Sequence, residues 1–217
     1  SKHSTDPENP IMGVRDYNFP SLEAQVADCA DGIAYNAHDL DDGITSELLN
    51  LQQVRKLALW REHEKALDQK YKNLDFKLKK YQIVRQIINN LITDFRQTTL
   101  KNLKANKIQS VDDVRCAKKR MAGFSALMSE KNGELKKFLH QNLYNHRKVK
   151  RMEFKSEMCL TGLFKAFTAN SALLPESVQR EGSHDSLQRR ICDYISGMTD
   201  RYAISEYKKL YSPGEKD

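Results

Sequence analysis

Helix breakers are scarce in this chain: five prolines and nine glycines in 217 residues, with three of the prolines before Ser21. Long regular elements are expected after that point, and residues 1–20 read as an extended lead-in. The four cysteines, Cys29, Cys116, Cys159 and Cys192, are scattered with no Cys-x-x-Cys pair. That spacing excludes a zinc ribbon, and the expectation is free thiols, with Cys159 and Cys192 buried in apolar helical contexts. No apolar run reaches the length of a membrane span. The first residues, Ser1 to Pro7, lack the apolar core of a signal peptide, so a cytoplasmic location is expected. There is no convincing strand pattern and no internal repeat.

What is present is charge. Charged residues make up 30% and hydrophobic ones 39%, with a net charge of +7 and an isoelectric point near 9.1, which fits a soluble helical protein. The positive charge gathers between Lys65 and Lys155 and suits a polyphosphate or a nucleic acid. The plain alternative is a solvated helix surface.

The apolar spacing predicts an all-α chain. Ser21 is a candidate N-cap with Glu23 and Asp28 early in the helix. That helix is expected to run to about Asn36 and to continue or restart through Leu40–Asn50, with Gly43 at a kink. Tyr71, Leu74, Phe76, Leu78, Tyr81, Val84, Ile87, Ile88, Leu91, Ile92 and Phe95 recur mostly at three- and four-residue steps, which predicts one or two long amphipathic helices from about Leu67 to Lys107. Ser110 reads as a cap, and Ser129 or Asn132 as the cap of a helix toward His146. Residues 149–169 are again helical, with Met152, Met158, Leu160, Leu163, Phe164 and Phe167 as the apolar side. Glu181–Asp185 reads as a polar turn, Ile191–Leu210 as the last helices, and 212–217 as a disordered tail.

The densest chemistry lies between Ser21 and Gly43. Asp31, Tyr35 and Asp39 stand four residues apart, which puts carboxylate, phenol and carboxylate in one row on a helix. Asp28, Asp31, Asp39, Asp41 and Asp42 have no Lys or Arg between them. Repulsion among them calls for an offset, such as a bound cation or a polar ligand. The small residues Ala27, Ala30, Ala34 and Ala37 suit a helix that packs closely, which is unusual for a plain acidic surface.

The run Leu22-Glu-Ala-Gln-Val-x-Asp28-x-Ala-Asp31-x-Ile-Ala-Tyr35-Asn-x-His38-Asp39-x-Asp-Asp-Gly43 resembles the signature of the bacterial deoxyguanosine triphosphate triphosphohydrolase-like proteins, a branch of the HD-domain superfamily. A second run, Asn142–Met152, resembles that family's Asn-Leu-Tyr-x-His-x-Arg-Val-x-Arg-Met, with Lys148 where relatives usually carry Arg and Arg147 where they often carry Tyr. A third, Asp193–Ala203, resembles Asp-Tyr-Ile-Ala-Gly-Met-Thr-Asp-Arg-Phe-Ala and reads as a helix end and new cap. Gly32 is a departure within the first run.

The resemblance implies a helical, HD-like fold and a hydrolase that splits dGTP or another dNTP into deoxynucleoside and triphosphate. It implies a divalent metal (Mn, Mg or Fe), with Asp31 as one ligand and Tyr35 and Asp39 holding the deoxyribose and its 3′-hydroxyl. Arg147, Lys148 and Arg151 become candidates for phosphate contact, a homo-oligomer is implied, and single-stranded nucleic acid is a further partner. The domain reading that follows is 1–20 lead-in, 21–60 the C-terminal part of the metal and nucleotide site, 61–211 a helical C-terminal region, and 212–217 tail. The family's upstream His and His-Asp have no counterpart here: His38-Asp39 falls inside the later signature, and His184-Asp185 reads as a loop. The expectation is therefore a C-terminal part of such an enzyme, inactive alone. The alternative is a non-catalytic helical module that binds nucleotide, nucleic acid or a homologous chain.

Overall fold

A computed structural model describes residues 18–179 and 186–214. The expected lead-in before residue 18, the 181–185 turn and the end of the tail lie outside the described residues. Every regular element among the described residues is helical, and no described helix is long and apolar enough to cross a membrane. The chain divides into two compact units, one ending at His146 and the other starting at Arg147.

In the first unit, α1 runs unbroken over Leu22–Thr45. Ser21 caps it, its hydroxyl accepting from Ala24 N at 3.4 Å. The expected kink at Gly43 is not there. Gly43 is instead a close-packing point: a Cβ would stand 2.5 Å from Leu49 Cδ1. The short α2, Leu51–Val54, leads into α3, Ala58–Lys70, and Asp75 then caps the long α4, Phe76–Ala105. Ser110 and Asp113 form a reciprocal capping box at α5, Val111–Arg115; this satisfies donors that a helix start leaves unpaired.

The next helix, α6, spans Ala126–Leu139, and its cap is Ser125 rather than Ser129 or Asn132. Asp94 of α4 holds that cap from outside, accepting from Ser125 N at 2.8 Å and from its hydroxyl at 2.6 Å. A π-helical turn, His140–Tyr144, continues directly from α6. Helices α1, α3, α4 and α6 enclose one core, in which Leu40, Trp60, Ile83, Leu91 and Leu139 are almost fully buried.

Two of the crowded aspartates are offset by basic side chains from elsewhere in this unit. Arg120 reaches Asp28 at 2.8 Å, and Lys80 of α4, itself buried, reaches Asp41 at 2.7 Å. Side chains of this unit thus supply part of the offset that the crowded aspartates call for. Gln25, also buried, accepts from Met121 N and Ala122 N at 3.0 and 3.1 Å and donates to Pro20 O at 2.9 Å, stapling the loop before α6 to the start of α1.

In the second unit, α7 spans Arg147–Ala169 and packs on α9, Leu187–Ser196, and α10, Asp200–Tyr211, with the single turn α8, Glu176–Gln179, beside α9. Thr199 caps α10 as the third run of sequence suggests. Leu163 and Phe167 are core residues of this unit, but Met152, Met158 and Leu160 of the expected apolar side are exposed. Cys159 is buried as expected, whereas Cys192 is exposed.

Candidate functional site: the outer face of α1

The fourfold spacing holds in three dimensions. Asp31 and Tyr35 are exposed on α1, Tyr35 by 58%, and Asp39 is half-buried one turn further on. The π-helical turn meets this end of the row. Tyr144 donates its hydroxyl to Asp39 Oδ2, its ring centroid lies 6.1 Å from that of Tyr35, and His140 presents to it edge-on at 6.2 Å. Leu143, buried in the core beside Leu49 and Gly43, anchors the turn. Asn142 fixes it further by donating to Phe138 O at 2.9 Å. Wide π-helical turns often occur where a side chain must be re-aimed at a site.

Burial, and then the bond to the Asp39 carboxylate, push the Tyr144 phenol well above its ordinary value. Tyr144 therefore stays a donor at any physiological pH and holds the Asp39 carboxylate in one orientation. The cluster offers a carboxylate, two phenols and an imidazole on one wall. Such a wall can accept a hydroxyl proton and pack against a ring.

The adjacent His38 and Asp39 do not act together. Successive helical side chains diverge, and His38 lines a different groove with Asp41, Tyr81 and Arg85. Asp31 and Asp39 lie about 12 Å apart along the helix axis at the usual rise, so one ion cannot take both as ligands. No three His, Cys, Asp or Glu side chains converge to hold a metal among the described residues. Asp31 is accordingly not part of such a group among the described residues.

In the second unit, Arg147 and Arg151 share one face of α7 with Lys150, Phe154, Lys155 and Met158; Lys148 is exposed but does not line that groove. Sequence reasoning missed Tyr144 and His140 as members of the α1 cluster. The available signal was their four-residue spacing, with Tyr144 inside the run Asn142–Met152 and His140 just before it. What was not readable was that this run folds back onto Asp39.

A family model described as a phosphohydrolase-associated domain matches residues 122–209. The deoxyguanosinetriphosphate triphosphohydrolase-like protein of Geobacter sulfurreducens is 40% identical over 99% of this chain and 57% of its own length. Those of Bordetella pertussis and Thiobacillus denitrificans are each 42% identical over 92% of this chain, covering 51% and 53% of their lengths. The chain thus spans about half the length of the curated relatives it matches. Along almost all of its own length the chain is thus similar to deoxyguanosinetriphosphate triphosphohydrolase-like proteins, and residues 122–209 match the phosphohydrolase-associated domain.

Proposed function

We propose that the outer face of α1 and the π-helical turn form the sugar-binding wall of a dNTP triphosphohydrolase site. The observation that carries this reading is the Asp39 carboxylate, oriented by the Tyr144 hydroxyl next to the exposed Tyr35. Asp39 accepts the 3′-hydroxyl proton of a deoxynucleotide through the oxygen that Tyr144 does not use. Tyr35 packs on the sugar edge and leaves no room for a 2′-hydroxyl. A carboxylate held in place before the ligand arrives loses little freedom on binding.

Asp31 would supply one hard oxygen to a divalent cation (Mn, Mg or Fe), its other ligands coming from outside the described residues. Such an ion, when bound, polarises a phosphate and lowers the pKa of its water. Arg147, Lys148 and Arg151 are the proposed contacts to the triphosphate. A homo-oligomer accompanies this reading, on the resemblance alone.

The test has two parts. Isothermal titration of the 217-residue chain with dGTP should give binding that Asp39→Ala or Tyr35→Ala weakens at least about tenfold, or about 1.4 kcal/mol. Incubation of the same chain with dGTP and Mn should release no triphosphate, since a single carboxylate stands at the metal end. Equal binding by the variants overturns the sugar wall. Turnover that Asp31→Ala abolishes overturns the inactivity of the isolated chain.

A further inference from the structure

We infer that Gly43 is a positioning residue: the space it leaves on α1 sets where the π-helical turn sits and so brings the Tyr144 hydroxyl to Asp39. The functional consequence rests on the reading of Asp39 as the acceptor of a 3′-hydroxyl.

Gly43 lies four residues after Asp39, one turn further along the same face of α1. The end of that helix folds back onto it. Leu48 N donates to Gly43 O at 3.0 Å and Glu47 N to Ile44 O at 3.2 Å. Glu47 stands in the left-handed region, at a φ of 57°, and together these features make a common helix ending. Leu49 N also donates to Gly43 O, at 2.9 Å. The Leu49 side chain is thereby laid over Gly43, and Leu143 of the π-helical turn closes the same contact. A Cβ at position 43 would stand 2.5 Å from Leu49 Cδ1, 2.7 Å from Leu49 Cγ and 3.4 Å from Leu143 Cδ1.

Glycine inside a helix is weaker than alanine, so this position gives up helix strength for space. Leu49 cannot swing clear of an added methyl: it is buried, and its amide is held by the Gly43 carbonyl. Its Cγ as well as its Cδ1 is too near, so rotating the last bond does not relieve the clash. The displacement passes to Leu143, and the next residue is Tyr144. A hydrogen bond weakens steeply as its angle falls, so a small shift of the turn is enough to release Asp39.

The tyrosine Cζ resonances of isotopically labelled chain test the positioning without any nucleotide; that of Tyr144 is the one lost in Tyr144→Phe. In Gly43→Ala it should leave its parent position and move toward its position in Asp39→Ala. Gly43→Ala combined with Leu49→Ala, which removes the two atoms a Cβ would meet most closely, should bring it back. Titration calorimetry gives the second readout. A parent preference of about tenfold for dGTP over its 3′-deoxy counterpart should fall below about twofold in Gly43→Ala and recover in the double variant.

Leu67→Ala, a cavity in the same core on α3, controls for lost stability alone and should leave both readouts unmoved. If Gly43→Ala does not fold, Leu143→Ala, which empties the contact from the side of the turn, takes its place and should move the resonance likewise. The inference is overturned by a Tyr144 resonance that stays at its parent position in these variants, or that Leu67→Ala moves as far. A double variant that stays displaced overturns it too. A parent that binds both nucleotides alike overturns the sugar wall instead, and the resonance alone then decides the positioning.

Discussion

The hydroxyl of Tyr144 is hydrogen-bonded to the carboxylate of Asp39, which lies 105 residues earlier in the chain. The bond joins the far end of the α1 row to the π-helical turn and makes a wall from two segments that the sequence keeps apart. Removing the hydroxyl with Tyr144→Phe is expected to lower stability by about 1 kcal/mol, since the bond reaches a charged acceptor but is partly open to water. It should also weaken dGTP binding, because Asp39 is no longer oriented. Denaturant unfolding and titration calorimetry of the same variant check both effects.

Lys80 and Asp41 form a second long-range pair, with Lys80 almost wholly buried and also donating to Thr45 Oγ1 at 2.6 Å. Lys80→Met strips Asp41 of its partner and is expected to destabilise the first unit by about 3 kcal/mol. Lys80→Met combined with Asp41→Asn should recover part of that loss, as urea unfolding of the three proteins would show. A double variant no better than the single one would mean that the pair's charges are not what matters.

His63 of α3 gives a pH dependence of defined sign. Burial, the leading cause, lowers its pKa below the ordinary 6.5, against a raising effect from Glu62 and Gln86. Its Nε2 is buried without a hydrogen-bond partner among the described residues. Folding therefore disfavours protonation there: the stability it contributes is complete above 6.5 and is lost as pH falls from that value through the lower folded one. The acid limb of a stability–pH curve between about 7 and 5 should be shallower in His63→Leu than in the parent.

The four thiols should separate into two classes. Cys116 and Cys192 are exposed, whereas Cys159 is buried and burial pushes the Cys29 thiol up to about 11. Thiolate is the reactive form, so a disulfide reagent at pH 8 should modify two cysteines quickly and the other two only as the chain unfolds. Mass mapping of the fast sites as Cys116 and Cys192 is the expected result.

Much of this fold is legible in the sequence where the determinant is local. Ser21, Ser110 and Thr199 cap helices because a hydroxyl answers an amide two or three residues on, and the apolar steps of α4 announce a long amphipathic helix. Legibility fails where a distant residue decides. Ser125 wins over Ser129 because Asp94 of α4 supports it. Gly43 reads as a breaker but serves as the gap into which Leu49 packs. The aspartates of α1 look unbalanced because Arg120 and Lys80 reach them only in the folded chain. The row Asp31, Tyr35, Asp39 was readable from periodicity; Tyr144, which completes it, was not.

The sugar wall is tested most directly by comparing dGTP with its 3′-deoxy counterpart, dideoxy-GTP, on the parent chain and on Asp39→Ala. If Asp39 accepts the 3′-hydroxyl, the parent should prefer dGTP by about tenfold, the worth of one hydrogen bond to a charged group, and the variant should bind both alike. A preference for dGTP that survives unchanged in Asp39→Ala would contradict the account.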